Sequence, residues 1–259
     1  MDKEKFETIV QSHHIPAYRY FETIGSTNDE AIKWVLEGAS EYALVLADTQ
    51  TAGRGRQGRK WTSHPGASIA ISIILHPTRD EQERLGLMSL MAGLATMQAI
   101  SRSCSGNIQV KWPNDVLIDR KKAAGVLVEA VWHAEQLQGL VIGIGINVLG
   151  NAVPSAETLL YPATCMQDHS GKKPHRLDVL DQLLMNLPVM RAATQSDEFP
   201  AIYMEKMAFV GEKISIISAP GISVDGLLQG IDQNGNLFLK TQDGQLQTFL
   251  VGDVSLRPA

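Results

Sequence analysis

The amino-acid sequence predicts an α+β protein with a small β-barrel appended at its C-terminal end. Residues 1–210 mix short apolar segments of strand length with longer stretches that have the composition of helices. After Gly211 the pattern changes to four short strand-like segments separated by turn residues. We therefore predict two domains, 1–210 and 211–259, with the boundary near Phe209–Gly211.

The first predicted helix follows Ser26–Thr27–Asn28, whose side chains are typical of helix N-caps. Apolar residues then recur on one helical face, and Gly38 follows them as a stop signal. Buried strands are predicted at Tyr42–Ala47 and Ile69–Leu75, because both segments are short, apolar and bounded by polar or glycine-rich turns.

The next predicted element is a buried helix over Leu85–Ile100, which is rich in Leu, Met and Ala. A second helix is predicted over Leu177–Ala193, and Pro188 should kink or break it. Four strands are predicted between these two helices, near Ile108–Trp112, Val116–Asp119, Gly125–Val131 and Leu140–Asn147.

The C-terminal module of about 48 residues is predicted to be an all-β domain. Its predicted strands are Ile214–Ser218, Val224–Ile231, Asn236–Thr241 and Gln245–Val251. Turn-forming pairs separate them at Pro220–Gly221, Asn234–Gly235 and Asp243–Gly244.

Composition and charge narrow the function classes. The chain has 259 residues, with 28 acidic and 23 basic ones and a net charge of −5, which disfavours a nucleic acid as the main partner. The N-terminal residues are charged, and the longest apolar region, Ala123–Val131, contains Glu129. We expect a cytoplasmic protein that neither spans nor binds a membrane.

The most unusual segment is Gly53–Lys60, in which four cations are separated by three glycines. Glycines allow unusual backbone conformations and expose N–H groups, so such a loop can order around an anion. The alternative is a solvated basic loop or a nucleic-acid patch. The spacing fits no GxxxxGK[ST] phosphate loop, and Gly143–Asn147 completes no GxGxxG pattern.

A second segment of interest is Lys111–Asp115, a Trp-Pro-Asn-Asp tract between two apolar strands. Lys122 follows it, ahead of small residues and a buried strand, and is a candidate contact for a carboxylate or phosphate. The plain alternatives are a simple turn and a lysine that reaches past its apolar stem to water.

A third segment, Ile142–Asn147, is a strand weakened by two glycines. Glycines inside a strand often mark the close approach of another backbone or a ligand.

Taken together, these segments carry a resemblance to a known family. Ser-Thr-Asn at 26–28, Gln50, GRGRQGRKW, KWPNDV, KKAAGVLVE and GIGINV occur in the order and approximate spacing of biotin protein ligases. The resemblance runs from about Thr23 to Val148. It implies a mixed β-sheet with helices on one face, similar to class II aminoacyl-tRNA synthetases, and an SH3-like C-terminal barrel. It also implies an enzyme that joins biotin to a protein lysine through biotinyl-5′-AMP.

The resemblance implies roles for the matching positions. The implied biotin-binding residues are Ser26, Thr27, Asn28, Gln50, Arg54, Gly55, Arg56 and Lys122. The implied contacts to ATP or the adenylate are Arg54, Arg56, Arg59, Trp61 and Asn147. The implied catalytic residues are Arg56, Lys122 and Asp115. Gln57 stands where many relatives carry arginine, so it receives no charge-based role, and no metal ligand is assigned.

The resemblance also implies substrates and partners. ATP and biotin would be the substrates, with Mg²⁺, and the acceptor would be the biotin carboxyl carrier protein of acetyl-CoA carboxylase or of another biotin-dependent carboxylase. Only 25 residues precede Ser26, too few for the helix-turn-helix domain of the larger regulatory relatives, so we expect no DNA binding. A homodimer through sheet edges occurs among relatives and stays open.

The chemistry explains why cations and glycines are needed. A carboxylate must approach a triphosphate, and two unit charges 4 Å apart repel by about 4 kcal/mol at an effective dielectric near 20. A closed loop would also keep water from the reactive adenylate. Asp115 is predicted either to orient or deprotonate the acceptor lysine or to cap its own turn. The C-terminal barrel either stabilises the main domain or helps to cover the ATP site.

Two rival functions remain at this point. A lipoate or octanoate ligase or transferase shares the general fold, although the Gly/Arg loop favours biotin. A non-catalytic nucleic-acid-binding protein would use the same basic loop, and it predicts a steep salt dependence of binding.

Overall fold

A computed structural model describes residues 2–62, 64–155, 157, 159, 161–219, 222–251 and 255–258. The predicted turn at Pro220–Gly221 lies outside these residues. The helices are α1 (Lys3–Ser12), α2 (Thr27–Leu36), α3 (Arg79–Gln82), α4 (Gly86–Ser101), α5 (Arg176–Ala193) and α6 (Phe199–Met204). The strands are β1 (Tyr18–Ile24), β2 (Leu44–Gln50), β3 (Ser68–Leu75), β4 (Ile108–Lys111), β5 (Asp115–Ile118), β6 (Lys121–His133), β7 (Gln136–Asn147), β8 (Lys213–Ala219), β9 (Ile222–Ile231), β10 (Leu237–Thr241), β11 (Leu246–Phe249) and β12 (Ser255–Pro258).

The large domain is organised around a seven-stranded sheet with the order β1-β2-β3-β7-β6-β5-β4. The β1–β2 pair is parallel and the other neighbours are antiparallel, so the sheet is mixed. The predicted α+β class is confirmed. Because β2, β3, β6 and β7 stand side by side, segments that are distant in sequence meet at one end of the sheet.

The helices cover both faces of this sheet, whereas the resemblance had placed them on one. Helices α1, α4 and α5 lie on the face whose core includes Ile71, Ile73 and Leu90. Helix α2 lies on the opposite face, where Ala31 and Val35 join a smaller apolar cluster of strand residues. The side chains of a strand alternate between faces, so β3 supplies core residues to both layers.

Pro188 does not break α5, so that half of the predicted kink or break is wrong. The helix continues from Arg176 to Ala193 with Pro188 inside it. A proline costs one backbone hydrogen bond in a helix, but packing can offset that loss. Leu183, Leu187 and Met190 are buried around this position, in a helix that packs along α4.

The C-terminal residues form a five-stranded antiparallel sheet with the order β11-β10-β9-β8-β12. Its turn at Asn234–Gly235 packs on α4, and the buried Trp112 Nε1 donates a hydrogen bond of 2.9 Å to the Gly235 carbonyl. The small domain therefore contacts the Trp-Pro-Asn-Asp tract directly. None of the described helices combines the length and apolar character needed to cross a bilayer.

Candidate active site

A cleft of about 880 Å³, its open mouth included, gathers nearly all the residues that the sequence singled out. The predicted residues in its lining are Ser26, Thr27, Asn28, Gln50, Arg54, Gly55, Arg56, Arg59, Trp61, Asp115 and Lys122. Asn147 is absent from that lining, and its Nδ2 donates a hydrogen bond of 3.1 Å to the Thr164 carbonyl. The implied nucleotide contact of Asn147 therefore stays a prediction.

One wall of the cleft is the N-terminus of α2, where Ser26 is the N-cap. The Thr27 backbone N–H and hydroxyl both donate to Gln50 Oε1, at 2.8 and 3.0 Å. The Ser72 hydroxyl donates to Asn28 Oδ1 at 2.6 Å. Ser26, Thr27 and Asn28 are at most 4% exposed, so these polar groups are held in fixed positions before any ligand arrives.

The two glycines of β7 make room for this wall and for the indole of Trp61. A Cβ on Gly143 would stand 2.1 Å from Asn28 Oδ1, and one on Gly145 would stand 2.3 Å from Trp61 Cε2. A close approach does occur at both glycines, but the approaching groups are side chains of the chain itself and not the predicted backbone or ligand. The sequence could place the glycines, but it could not name their partners.

The Gly/Arg loop is a small hairpin over the cleft. The Trp61 N–H donates to the Gly53 carbonyl at 2.9 Å, and the Gly55 N–H donates to the Arg59 carbonyl at 2.7 Å. At its tip Arg56 donates to Asn114 Oδ1 at 3.3 Å, which brings the loop to the Trp-Pro-Asn-Asp tract. The Trp61 Nε1 is buried without a hydrogen-bond partner among the described residues, an arrangement that costs about 1–3 kcal/mol unless a ligand accepts the bond.

Arg54 is paired with two carboxylates of the chain itself, so its charge is not directed at a ligand. Its Nη1 and Nη2 donate to Glu129 at 2.7 and 2.8 Å, and Nη2 lies 2.7 Å from Asp29 Oδ1. Hydrogen bonding to Glu129 raises the pKa of Arg54 above its ordinary value, in spite of the opposing effect of burial. The implied charge contact of Arg54 with the adenylate is therefore not supported by this geometry.

Asp115 lies between two lysines at the floor of the cleft. Its Oδ2 is 3.1 Å from Lys111 Nζ and its Oδ1 is 2.5 Å from Lys122 Nζ. Burial alone would raise the pKa of Asp115, but the two ammonium groups outweigh it and hold the pKa well below its usual range. A carboxylate held in this way is a weak base, so the geometry favours the orienting role over proton abstraction.

Lys111 is a site residue to which the sequence analysis assigned no role. The residue is 2% exposed, and burial lowers its pKa to about 8 although Asp115 opposes the shift. Lys111 belongs to the Trp-Pro-Asn-Asp tract, so the motif itself was the available signal. Arg257, on β12 of the small domain, also lines the cleft and had no local signal at all.

The lining fits an anion better than a metal ion. Among the described residues that line the cleft there are seven lysines and arginines and one carboxylate, Asp115, which is held by two lysines. The described part of the chain contains no cluster of three or more His, Cys, Asp or Glu residues that could hold a metal. These residues do not fit an Mg²⁺ ion coordinated by protein ligands.

Comparisons with known proteins agree with this site. Residues 20–147 match the biotin/lipoate A/B protein ligase family, and residues 209–257 match the biotin protein ligase C-terminal domain. The chain is 34% identical to a biotin–[acetyl-CoA-carboxylase] ligase of Paracoccus denitrificans over 85% of this chain and 92% of that protein. It is also 34% identical to the bifunctional ligase/repressor BirA of Bacillus spizizenii, over 87% of this chain and 70% of BirA.

Among solved structures, the chain is similar to the biotin protein ligase from Aquifex aeolicus in complex with biotin and ATP. The two share 30% sequence identity with a TM-score of 0.80. The match covers 94% of this chain and all of the Aquifex chain, so it spans both domains.

Proposed function

We propose that this chain, which belongs to the biotin/lipoate A/B protein ligase family, is an ATP-dependent biotin protein ligase. Biotin reacts with ATP to give biotinyl-5′-AMP and pyrophosphate. The biotinyl group then passes to the amine of an acceptor lysine, and AMP leaves. The observation that carries the proposal is one cleft with a fixed polar wall at one end, a cationic floor and a glycine-containing loop above.

The residues of the cleft divide between the two substrates. We assign the biotin ring to the wall of Ser26, Thr27, Asn28 and Gln50, with Gly55 above it. The nucleotide is assigned to Arg59 and Trp61, whose unpaired Nε1 is a ready donor. Asn147, the remaining implied nucleotide contact, is kept in the proposal on the resemblance alone, since its Nδ2 is bound to the Thr164 carbonyl.

In the first step the biotin carboxylate attacks the α-phosphorus and pyrophosphate leaves. The reacting groups repel each other, by about 4 kcal/mol for each pair of unit charges at 4 Å. Arg56, Lys111 and Lys122 can offset this repulsion, because all three line the cleft within a low-dielectric setting. Their positions are set before substrate binding, so little reorganisation is needed as charge develops.

In the second step the acceptor amine attacks the acyl carbon and displaces AMP. A lysine amine is mostly protonated at neutral pH, and its deprotonation costs about 4–5 kcal/mol. The excess of cations in the lining disfavours an incoming ammonium and so favours the neutral amine. Asp115 is assigned to orient the groups at the reacting centre.

The acceptor in this proposal is a biotin carboxyl carrier protein, as the name of the Paracoccus relative suggests. Strand β6 supports this docking. Among the described residues, β5 pairs only with Lys121 to Gly125 of β6, and Asn114 bonds the backbone of Val126, so the part of β6 after Val126 has no strand neighbour on that edge. The same edge could pair two copies of the chain, and a homodimer remains part of the proposal. No DNA partner is included, because the chain has a net charge of −5 and seven of its 23 lysines and arginines line the cleft.

The small domain is proposed to complete the nucleotide side of the cleft. Arg257 reaches the lining from β12, and the match at residues 209–257 supports a boundary near residue 210. Mg²⁺ is proposed to enter on the phosphates of ATP, since this ion is usually bound through substrate phosphates. A cytoplasmic location is proposed because the reaction consumes ATP.

The test is biotin-dependent exchange of labelled pyrophosphate into ATP by the purified chain, followed by transfer to a carrier domain. Wild-type protein should catalyse both reactions, and excess lipoate or octanoate should not compete with biotin. Exchange that depends on lipoate instead would replace this proposal by the lipoate ligase alternative. Absence of exchange with either acid would refute ligase activity.

A further inference from the structure

We propose that Asp29 and Glu129 form an acidic clamp that holds the Gly/Arg loop closed through Arg54, and that Glu129 is a positioning residue for retention of the adenylate. The clamp is defined as these two carboxylates together with Arg54. The part that concerns the adenylate rests on the function proposed above. The part that concerns the loop rests on geometry alone.

The clamp joins three separate elements. Asp29 lies in the first turn of α2, Glu129 lies on β6, and Arg54 lies in the loop. Both terminal nitrogens of Arg54 contact Glu129, in the two-pronged geometry that gives arginine–carboxylate pairs their strength and direction. Asp29 adds a third contact at 2.7 Å. The loop is therefore attached to both the sheet and the helix that carries the biotin wall.

Glu129 also fixes a group of the biotin wall. Its Oε2 accepts a hydrogen bond of 2.7 Å from Asn28 Nδ2 and one of 2.8 Å from Arg54 Nη2. The other end of the Asn28 amide is occupied by the Ser72 hydroxyl. The Glu129 carboxylate thus sets both the orientation of the Asn28 amide and the position of the loop. A movement of the loop would therefore also move the Asn28 amide.

The charge balance of the clamp separates Arg54 from Arg56. Two carboxylates face the one guanidinium of Arg54, so the clamp carries a net negative charge and gains nothing from a nearby phosphate. Arg56 lines the cleft, and one of its contacts is to the amide of Asn114. Arg54 therefore anchors the loop, while Arg56 lies where a ligand in the cleft would be.

Opening the loop requires Arg54 to leave both carboxylates. With Glu129 neutralised, the two-pronged charged contact is lost and Asp29 alone remains, half exposed to water. The loop should then open more often, and each opening lets the adenylate escape or meet water. The structure predicts faster loss of the adenylate, with a smaller effect on its formation.

The test compares Glu129→Gln with a matched control, Glu30→Gln. Glu30 and Glu37 hold Arg19 in the same pattern of one arginine between two carboxylates, and neither acid lines the cleft. Two measurements are made on the full chain. Limited trypsin digestion reports exposure of the loop arginines without any substrate, and a single-turnover assay with α-labelled ATP reports AMP lost in the absence of acceptor.

We expect Glu129→Gln to raise both loop cleavage and AMP loss by about tenfold, which corresponds to about 1.4 kcal/mol. Glu30→Gln should match the wild type, and Arg54→Gln combined with Glu129→Gln should be no worse than the stronger single change. If Glu129→Gln fails to fold, Asp29→Asn replaces it, with a smaller rise expected. Wild-type rates in a folded clamp variant would overturn the clamp. A wild type without pyrophosphate exchange would overturn the ligase function, while the digestion would still decide the clamp.

Discussion

The Gly/Arg loop and the Trp-Pro-Asn-Asp turn both bring cations to the same cleft, yet they hold them in opposite ways. In the turn, Lys111 is 2% exposed and bound to a buried carboxylate. In the loop, the Arg54 side chain is 37% exposed and is paired at the surface. The buried pair is rigid and costly to disturb, whereas the surface pairs can open at small cost.

This difference matches what each region must do. The floor of the cleft meets charge that develops in every catalytic cycle, so fixed groups are an advantage. The loop must admit substrates and release product, so it needs contacts that break and reform. The same kinds of charge therefore produce either a fixed site or a movable cover, and burial decides which.

The largest expected effect belongs to the turn. Asp115→Asn should leave the buried Lys111 without its counter-charge and lower the free energy of unfolding by about 3–5 kcal/mol. Urea unfolding measures this change, and transfer from preformed biotinyl-adenylate measures function. Asp178→Asn, which removes the half-exposed partner of Lys5, is the control and should change stability by less than about 0.5 kcal/mol. Normal transfer by a folded Asp115→Asn protein would remove Asp115 from the reaction.

The loop should respond in rate rather than in stability. Arg56→Ala should slow pyrophosphate exchange by roughly 100-fold, as expected when a group that faces developing charge is lost. Its unfolding free energy should stay near that of the wild type. Arg79→Ala, an exposed arginine of α3, serves as the control for a simple loss of charge. A large drop in stability with unchanged exchange would reverse the contrast between loop and turn.

The contribution of Trp61, at the base of the loop, to stability and to ATP binding can be tested by crowding its indole. Gly145→Ala places a methyl group on the indole and should cost about 1–3 kcal/mol of stability, because the ring must shift. The KM for ATP should rise as well. Gly150→Ala, with no atom of the described residues within 4 Å of the added carbon, should do neither. An unchanged KM for ATP would separate Trp61 from the nucleotide.

The smallest predicted effect is a pH dependence from Lys111. Its folded pKa of about 8 lies below the ordinary value of 10.5, so the folded chain binds fewer protons than the unfolded chain between these values. Stability should therefore rise with pH across this window, while exchange should fall by about tenfold from pH 7 to pH 9 as the ammonium is lost. Lys111→Arg should abolish the alkaline decline in exchange. A flat profile in the wild type would show that the charge of Lys111 is not needed.

The sequence predicted the elements with strong local signals. Helices α2 and α4, strands β2 to β7 and most of the C-terminal strands lie close to the predicted segments. The sequence analysis did not predict α1, β1 or β12. Helix α1 buries Phe6, Ile9 and Val10 within a segment in which four of the ten residues are charged, and β12 is formed by pairing with β8. Tertiary contact, rather than local pattern, fixes such elements.

The candidate site shows the same limit. Motif order placed Ser26, Gln50, Trp61 and Lys122 in one cleft, because each stands in a recognisable segment. The partners of these residues did not follow from spacing. Glu129 is far from Arg54 in sequence and was regarded only as a charge within an apolar strand. Which carboxylate meets which cation depends on the register of the sheet.

The hydrogen bond from Trp112 to the carbonyl of Gly235 makes the two domains share an interior. Cutting the chain near residue 210 would leave the buried indole N–H of Trp112 without its acceptor, next to the floor of the cleft. It would also expose Leu87 and Leu90 of α4, which lie against Gly235. A shortened version made as a compact labelling reagent would therefore have a disturbed cleft floor around Asp115. Engineering for small size should begin with the outer strands, far from that indole.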